Sequence, residues 1–86
     1  MDINELIAIV KKKLKNQINI ESIKIEDKSF LHKNHPGNQK SKFHLKITIK
    51  SPELKKLNMI ESNRKIYKVL ENELEEFIHS IQILIS

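Results

Sequence analysis

Four side chains in this 86-residue sequence carry a nitrogen that titrates near neutrality: His32, His35, His44 and His79. A neutral imidazole ligates zinc, copper and iron, and a charged one moves protons. Cysteine is absent, which removes any disulfide framework, any Cys-based zinc site held by this chain alone, and any thiol nucleophile. His32 and His35 lie in a polar stretch, where they are either solvated or ligands. His44 falls on the lysine-bearing side of an alternating segment and reads as surface. His79 has the parity of Ile81, Ile83 and Ile85, so on parity it reads as a partly buried ring bonded to a backbone carbonyl.

Other chemistries find less support. The eleven carboxylates are scattered along helices, and no serine sits in a nucleophile elbow. Gly37 is the only glycine, so a P-loop, a dinucleotide fingerprint and a Gly-x-x-Gly nucleic-acid loop are all excluded. We expect neither an enzyme nor a small-molecule substrate. The net charge of +5 invites a nucleic-acid reading, but Arg64 is the one arginine among sixteen basic residues, and Lys, Ile and Asn fill 38 of 86 positions. That skew resembles AT-rich coding bias more than selection for phosphate, which favours the bidentate guanidinium. The remaining nucleic-acid surface is an open sheet face with Lys24, Lys46 and Lys50, which lacks aromatics for stacking bases.

The elements that must position these residues follow from hydrophobic periodicity. Asp2 and Glu5 have capping-box spacing, and Ile3, Leu6, Ile7, Val10 and Leu14 recur at steps of three and four, which predicts a helix over 3–15. Lys11, Lys12, Lys13 and Lys15 occupy its other face, near the end where the helix dipole favours cations. A strand is expected over 22–27, after a bend near Glu21–Ser22. Residues 28–41 read as a long exposed loop, the first place to look for a site, with too few apolar groups to order it in the free protein. Phe43, Leu45, Ile47 and Ile49 alternate with His44, Lys46, Thr48 and Lys50 as a second strand. Ser51-Pro52-Glu53 starts a short helical turn carrying Leu54 and Leu57. Ile66, Leu70 and Leu74, with Met59 and Phe77 extending the stripe, predict one long helix over about 60–75. A third strand closes the chain from His79. The order helix-strand-strand-helix-helix-strand implies a single domain over 1–86, a two-layer α+β sandwich on a three-stranded mixed sheet. Its first two strands are antiparallel, and the third, returning through a helix, pairs parallel.

At this point the sequence resembles the BolA family. Asp27-Lys28-Ser29-Phe30-Leu31-His32 is similar to the family's acidic-x-Ser-x-x-His loop opening. The run from Ser41 through Phe43, Leu45, Ile47 and Ile49 to Ser51 is similar to its Ser-His-Phe-x-Val-x-(Ile/Leu)-Val-Ser strand. Arg64-Lys65-Ile66-Tyr67 matches the end of Arg-His-Arg-x-x-Tyr. Leu70, Glu73 and Leu74 match Leu-x-x-Glu-Leu, and Ile78-His79-Ser80 matches Ile-His-Ala. The resemblance implies an α+β sandwich similar to the type II KH fold.

It also implies an adaptor that partners a monothiol glutaredoxin in iron–sulfur cluster assembly, cluster transfer or iron regulation. The [2Fe-2S] cluster would be shared with the glutaredoxin and glutathione, and the isolated chain would bind none. Carried over by position, the metal ligands are His79 and the loop residue matched by His32 or by nearby His35. The alternative implied by the family is a DNA-binding regulator of stress response or morphology, using Lys42, Lys46, Lys50 and Arg64. Two departures weaken it: Ser62-Asn63-Arg64 stands where the family has Arg-His-Arg, and Leu54-Lys55-Lys56 where it has Phe-x-Gly. The longest apolar run, Leu6 to Val10, is too short to span a bilayer, and no signal or transit pattern is evident, so a cytoplasmic location is expected.

Overall fold

A computed structural model describes residues 1–29 and 42–86. The expectations for the loop, including the positions of His32 and His35, fall mostly on residues 30–41 and lie outside the described residues.

Helix α1 spans Ile3–Gln17. The Asp2 carboxylate accepts from the Glu5 N–H at 2.8 Å, satisfying one of the orphan donors of the first turn. Its apolar stripe, Leu6, Val10 and Leu14, is fully buried. The helix ends where Ile18 turns extended, and the Ile18 N–H still reaches the Leu14 carbonyl at 2.9 Å. Strand β1 is Ser22–Asp27 and β2 is Phe43–Lys50. They pair antiparallel with Ile23 opposite Ile49 and Ile25 opposite Ile47, which sets all four isoleucines on the helix-covered face. Strand β3, Ile78–Ile85, pairs parallel with the other side of β2. The sheet order is β1-β2-β3, a three-stranded mixed sheet as the periodicity implies.

Between β2 and β3 the chain makes three helices, α2 at Pro52–Lys55, α3 at Met59–Val69 and α4 at Glu71–Glu76. Ser51 caps α2: its hydroxyl accepts from the Leu54 N–H at 3.1 Å and donates to the Asn19 carbonyl at 2.6 Å, tying this turn to the end of α1. The long helix expected over 60–75 is broken at Leu70, which takes φ −98°, ψ 17°. No proline or glycine marks the break. The bend puts Leu70 fully into the core and turns Glu73 toward α1, where Lys13 holds it. Met59, expected on the apolar stripe, is instead 78% exposed, because the buried face of α3 runs through Ser62 and Ile66. The core joins Leu6, Val10, Leu14 and Ile18 to Leu45, Ile47, Ile49, Leu54, Ile66, Leu70 and Ile78. Among the described residues no helix is long and apolar enough to cross a membrane.

Candidate functional site: a histidine pair at a sheet irregularity

The β2–β3 ladder carries one break in its register. Phe43 is opposite Ile78, but His44 is opposite Ser80, so β3 contributes one more residue than β2 at this point, and that residue is His79. A bulge re-aims the side chain it carries. Ile78 takes the core position, 1% exposed, and His79 is thrown out to solvent. The parity argument that set His79 with Ile81, Ile83 and Ile85 as a partly buried ring is therefore corrected, because the extra residue resets the alternation.

The same shift corrects the reading of His44 as a surface residue. It is 7% exposed, although it belongs to the strand face that carries lysines. Its Nδ1 lies 2.7 Å from the Ser80 hydroxyl, and its ring meets that of His79 edge to face, with centroids 4.9 Å apart and planes at 60°. The backbone around it is equally constrained. The His44 N–H donates to the Ser29 hydroxyl at 3.0 Å, and the His44 carbonyl accepts from the Lys28 N–H at 2.7 Å. The Ser29 N–H in turn bonds the Asp27 carboxylate at 2.9 Å. The start of the predicted loop is thus stitched to the first residues of β2, at the end of the sheet where His44 and His79 meet. One sequence signal was available for this arrangement: a step of three from Ile78 to Ile81 in a strand that otherwise steps by two.

The described residues contain no group of three or more His, Asp or Glu poised to hold a metal. The two imidazoles meet at this end of the sheet, and Ser80, which no sequence pattern singles out, holds the ring of His44.

The basic residues divide between surfaces. Lys46 and Lys50 lie on the sheet face away from the helices, Lys46 opposite Glu26 and Lys50 within 3.9 Å of Glu21. Glu26 also faces Lys24 at 4.0 Å and Lys28 at 3.6 Å, so carboxylates interrupt the lysine field. Lys42 precedes β2. Arg64 is exposed on α3, two residues from the inward-facing Ile66, and so points away from the sheet. A cleft of about 570 Å³ between α1 and α3 is lined by Lys13, Lys65 and Lys68 and contains none of the candidate residues.

A helix-covered mixed sheet with an imidazole pair at one end defines a small α+β sandwich domain of known kind. Residues 14–86 match the family described as BolA-like protein, and this chain belongs to that family. The curated DNA-binding transcriptional regulator BolA of Haemophilus influenzae is 28% identical over 75 residues, covering 87% of this chain and 70% of its own. Among solved structures, the BolA domain of SufE1 from Arabidopsis thaliana superposes with a TM-score of 0.79 at 22% identity, covering all of this chain and 93% of its own. BolA1 from the same plant gives 0.75 at 24% identity, with 92% and 87% covered. At those identities the likeness is one of fold.

Proposed function

We propose that this chain is an adaptor that pairs with a monothiol glutaredoxin and lends imidazole nitrogen to a shared [2Fe-2S] cluster. The observation that carries the reading is His79, lifted to solvent by the register shift and set edge to face against the His44 ring, which Ser80 in turn holds. The donor set fits. A chain without cysteine offers imidazole nitrogen and no thiolate at this end of its sheet, and imidazole in place of thiolate is an accepted iron ligand. His79 would supply one nitrogen and His32 or His35 a second, with the sulfur donors coming from the glutaredoxin and glutathione. Such a cluster, when bound, supplies electron-transfer chemistry at a potential raised by its histidine ligation. The part of this chain is to present His79 outward, against the His44 ring.

The test is reconstitution of the purified chain with a monothiol glutaredoxin, glutathione, iron and sulfide, followed by absorption spectroscopy and sizing. A mixed complex with a spectrum distinct from that of the glutaredoxin alone is expected. His79→Ala should abolish that spectrum, and the same change at His32 or His35 should reveal which one contributes. An unchanged glutaredoxin spectrum and no mixed complex would sink the proposal.

A second reading, DNA binding, is favoured by one observation, the similarity to the DNA-binding transcriptional regulator of Haemophilus influenzae. Salt-titrated binding separates it from incidental lysine attraction. A regulator retains a preferred sequence at physiological salt, whereas attraction by dispersed lysines fades equally for every sequence. The split of Arg64 from Lys46 and Lys50 leads us to expect the uniform loss.

A further inference from the structure

The two edges of the sheet are built differently. β1 places Lys24, Glu26 and Asp27 in six residues, the charged guard that edge strands usually carry. β3 runs Ile-His-Ser-Ile-Gln-Ile-Leu-Ile with no lysine, carboxylate or proline. Among the described residues, nothing pairs with its outer side. The direction of its hydrogen bonds is defined at its end. The Ser86 N–H donates to the Ile49 carbonyl at 2.9 Å, and the Ser86 carbonyl accepts from the Ser51 N–H at 3.1 Å, both toward β2. Residues of the opposite parity, Ile81, Ile83 and Ile85, therefore direct their N–H and C=O groups outward, and only another extended strand can meet such a row in register.

From this we infer that the outer edge of β3 pairs with β3 of a second copy of the chain, antiparallel about a two-fold axis, joining two sheets into one of six strands. Three features select a second copy as the occupant. The strand is uncharged, so it does not repel itself. Antiparallel pairing must keep core-facing residues opposite core-facing residues, which is met with Ile81 opposite Ile83 of the other copy and Gln82 opposite Gln82. In that register the Ile81–Ile83 pairs are the ones that exchange hydrogen bonds, in agreement with their outward N–H and C=O groups. The ends also complement each other. Exposed Glu75 and Glu76 lie one residue before β3, across Phe77, while Lys55 lines a groove of about 210 Å³ with Ile83 and Ile85 at its far end. Antiparallel pairing brings the acidic end of one copy to the basic end of the other. It also covers apolar surface that a lone copy leaves in water, Leu84 at 43% and Met59 at 78% exposed, the latter in the same groove. The inference is independent of the glutaredoxin reading.

Gln82 is exposed and would sit on the two-fold axis, which makes it the residue to change. Sedimentation of the unmodified full chain over a wide concentration series should show a monomer–dimer equilibrium. Gln82→Lys and Gln82→Glu each oppose like charges across the axis and should raise the dissociation constant about tenfold or more, with far-UV circular dichroism unchanged. Mixing the two variants in equal amounts should restore a dimer, because lysine then faces glutamate. Gln82→Cys introduces the sole thiol at a non-hydrogen-bonded pair, where Cα atoms lie about 4.5 Å apart, close enough for a disulfide. Mild oxidation should link it, while Lys24→Cys on the other edge should stay unlinked. A chain that stays monomeric throughout overturns the inference and leaves the edge for a strand of another protein. A dimer indifferent to both charge variants, or a Gln82→Cys chain that does not cross-link, overturns it equally.

Discussion

The Lys13 ammonium grips both oxygens of the Glu73 carboxylate, at 3.0 and 2.8 Å, across sixty positions of sequence. The pair fastens α1 to the segment just past the break at Leu70. Its two ends are unequally covered: the Glu73 side chain is 9% exposed and that of Lys13 38%. Lys13→Met should therefore cost more than a surface pair is worth, about 1–2 kcal/mol, because it leaves a nearly buried carboxylate without its cation. Glu73→Gln in the Lys13→Met background should recover part of that loss. Urea unfolding of the single and double variants measures the coupling.

Ser51 is fully buried and works in two directions, capping α2 through Leu54 and bonding Asn19 beyond the end of α1. Ser51→Ala orphans both partners and should lower stability by about 1–3 kcal/mol. Ser51→Thr keeps the hydroxyl and tests whether the added methyl fits. Chemical denaturation with an unchanged m-value would show that the loss is one of stability alone.

Glu53 accepts from Lys65 and from the Asn19 N–H at 2.9 Å, and these bonds hold its carboxyl below the usual glutamate range. A folded-state pKa below the unfolded one means that its contribution is complete above the ordinary glutamate pKa, about 4.3, and drains away as pH falls through that value toward the depressed one. Glu53→Gln should flatten the acid limb of stability in this window and leave the slope above pH 6 unchanged. Denaturation midpoints measured from acid to neutral pH, with and without the substitution, provide the check.

His44 and His79 should differ sharply when each is removed. His79 is exposed, and His79→Ala should change stability by no more than about 0.5 kcal/mol. His44 is buried against Ser80, and His44→Ala should cost about 1–3 kcal/mol. Ring proton resonances of His79 should move in the His44→Ala protein, since an imidazole at 4.9 Å perturbs them. Equal stability losses for the two alanine variants would show that the burial difference has no energetic weight.

Much of the architecture is written in local pattern. The alternation from Phe43 to Ile49 locates β2 to the residue, Asp2 and Ser51 mark two helix starts with their own side chains, and the helical return between β2 and β3 dictates a parallel pair. The misses arise where a distant contact overrides a local rule. Leu70 breaks the predicted long helix because burial of its side chain and capture of Glu73 by α1 outweigh helical continuity, with no residue type to announce it. His44 and His79 depart from their local parity because a register shift belongs to two strands at once. The identity of His79 as a candidate came from motif resemblance, whereas its exposure and its neighbour could come only from pairing.

The parallel join of β2 to β3 has a consequence for biosynthesis. His44 pairs with Ser80, 36 residues further on, so the central strand cannot acquire its second neighbour until nearly all of this sequence has emerged. At ordinary elongation rates of 5–20 residues per second, that leaves one flank of β2 open for about 2–7 s on each ribosome. A strand of alternating Phe43, Leu45, Ile47 and Ile49 with an unmet edge is a template for aggregation. Lys42 just before that strand and Lys46 and Lys50 along it are spaced charges, and mutual repulsion between nascent chains is a service that scattered lysines provide well. The basic face that suggests a nucleic acid can be understood as protection for a half-finished sheet.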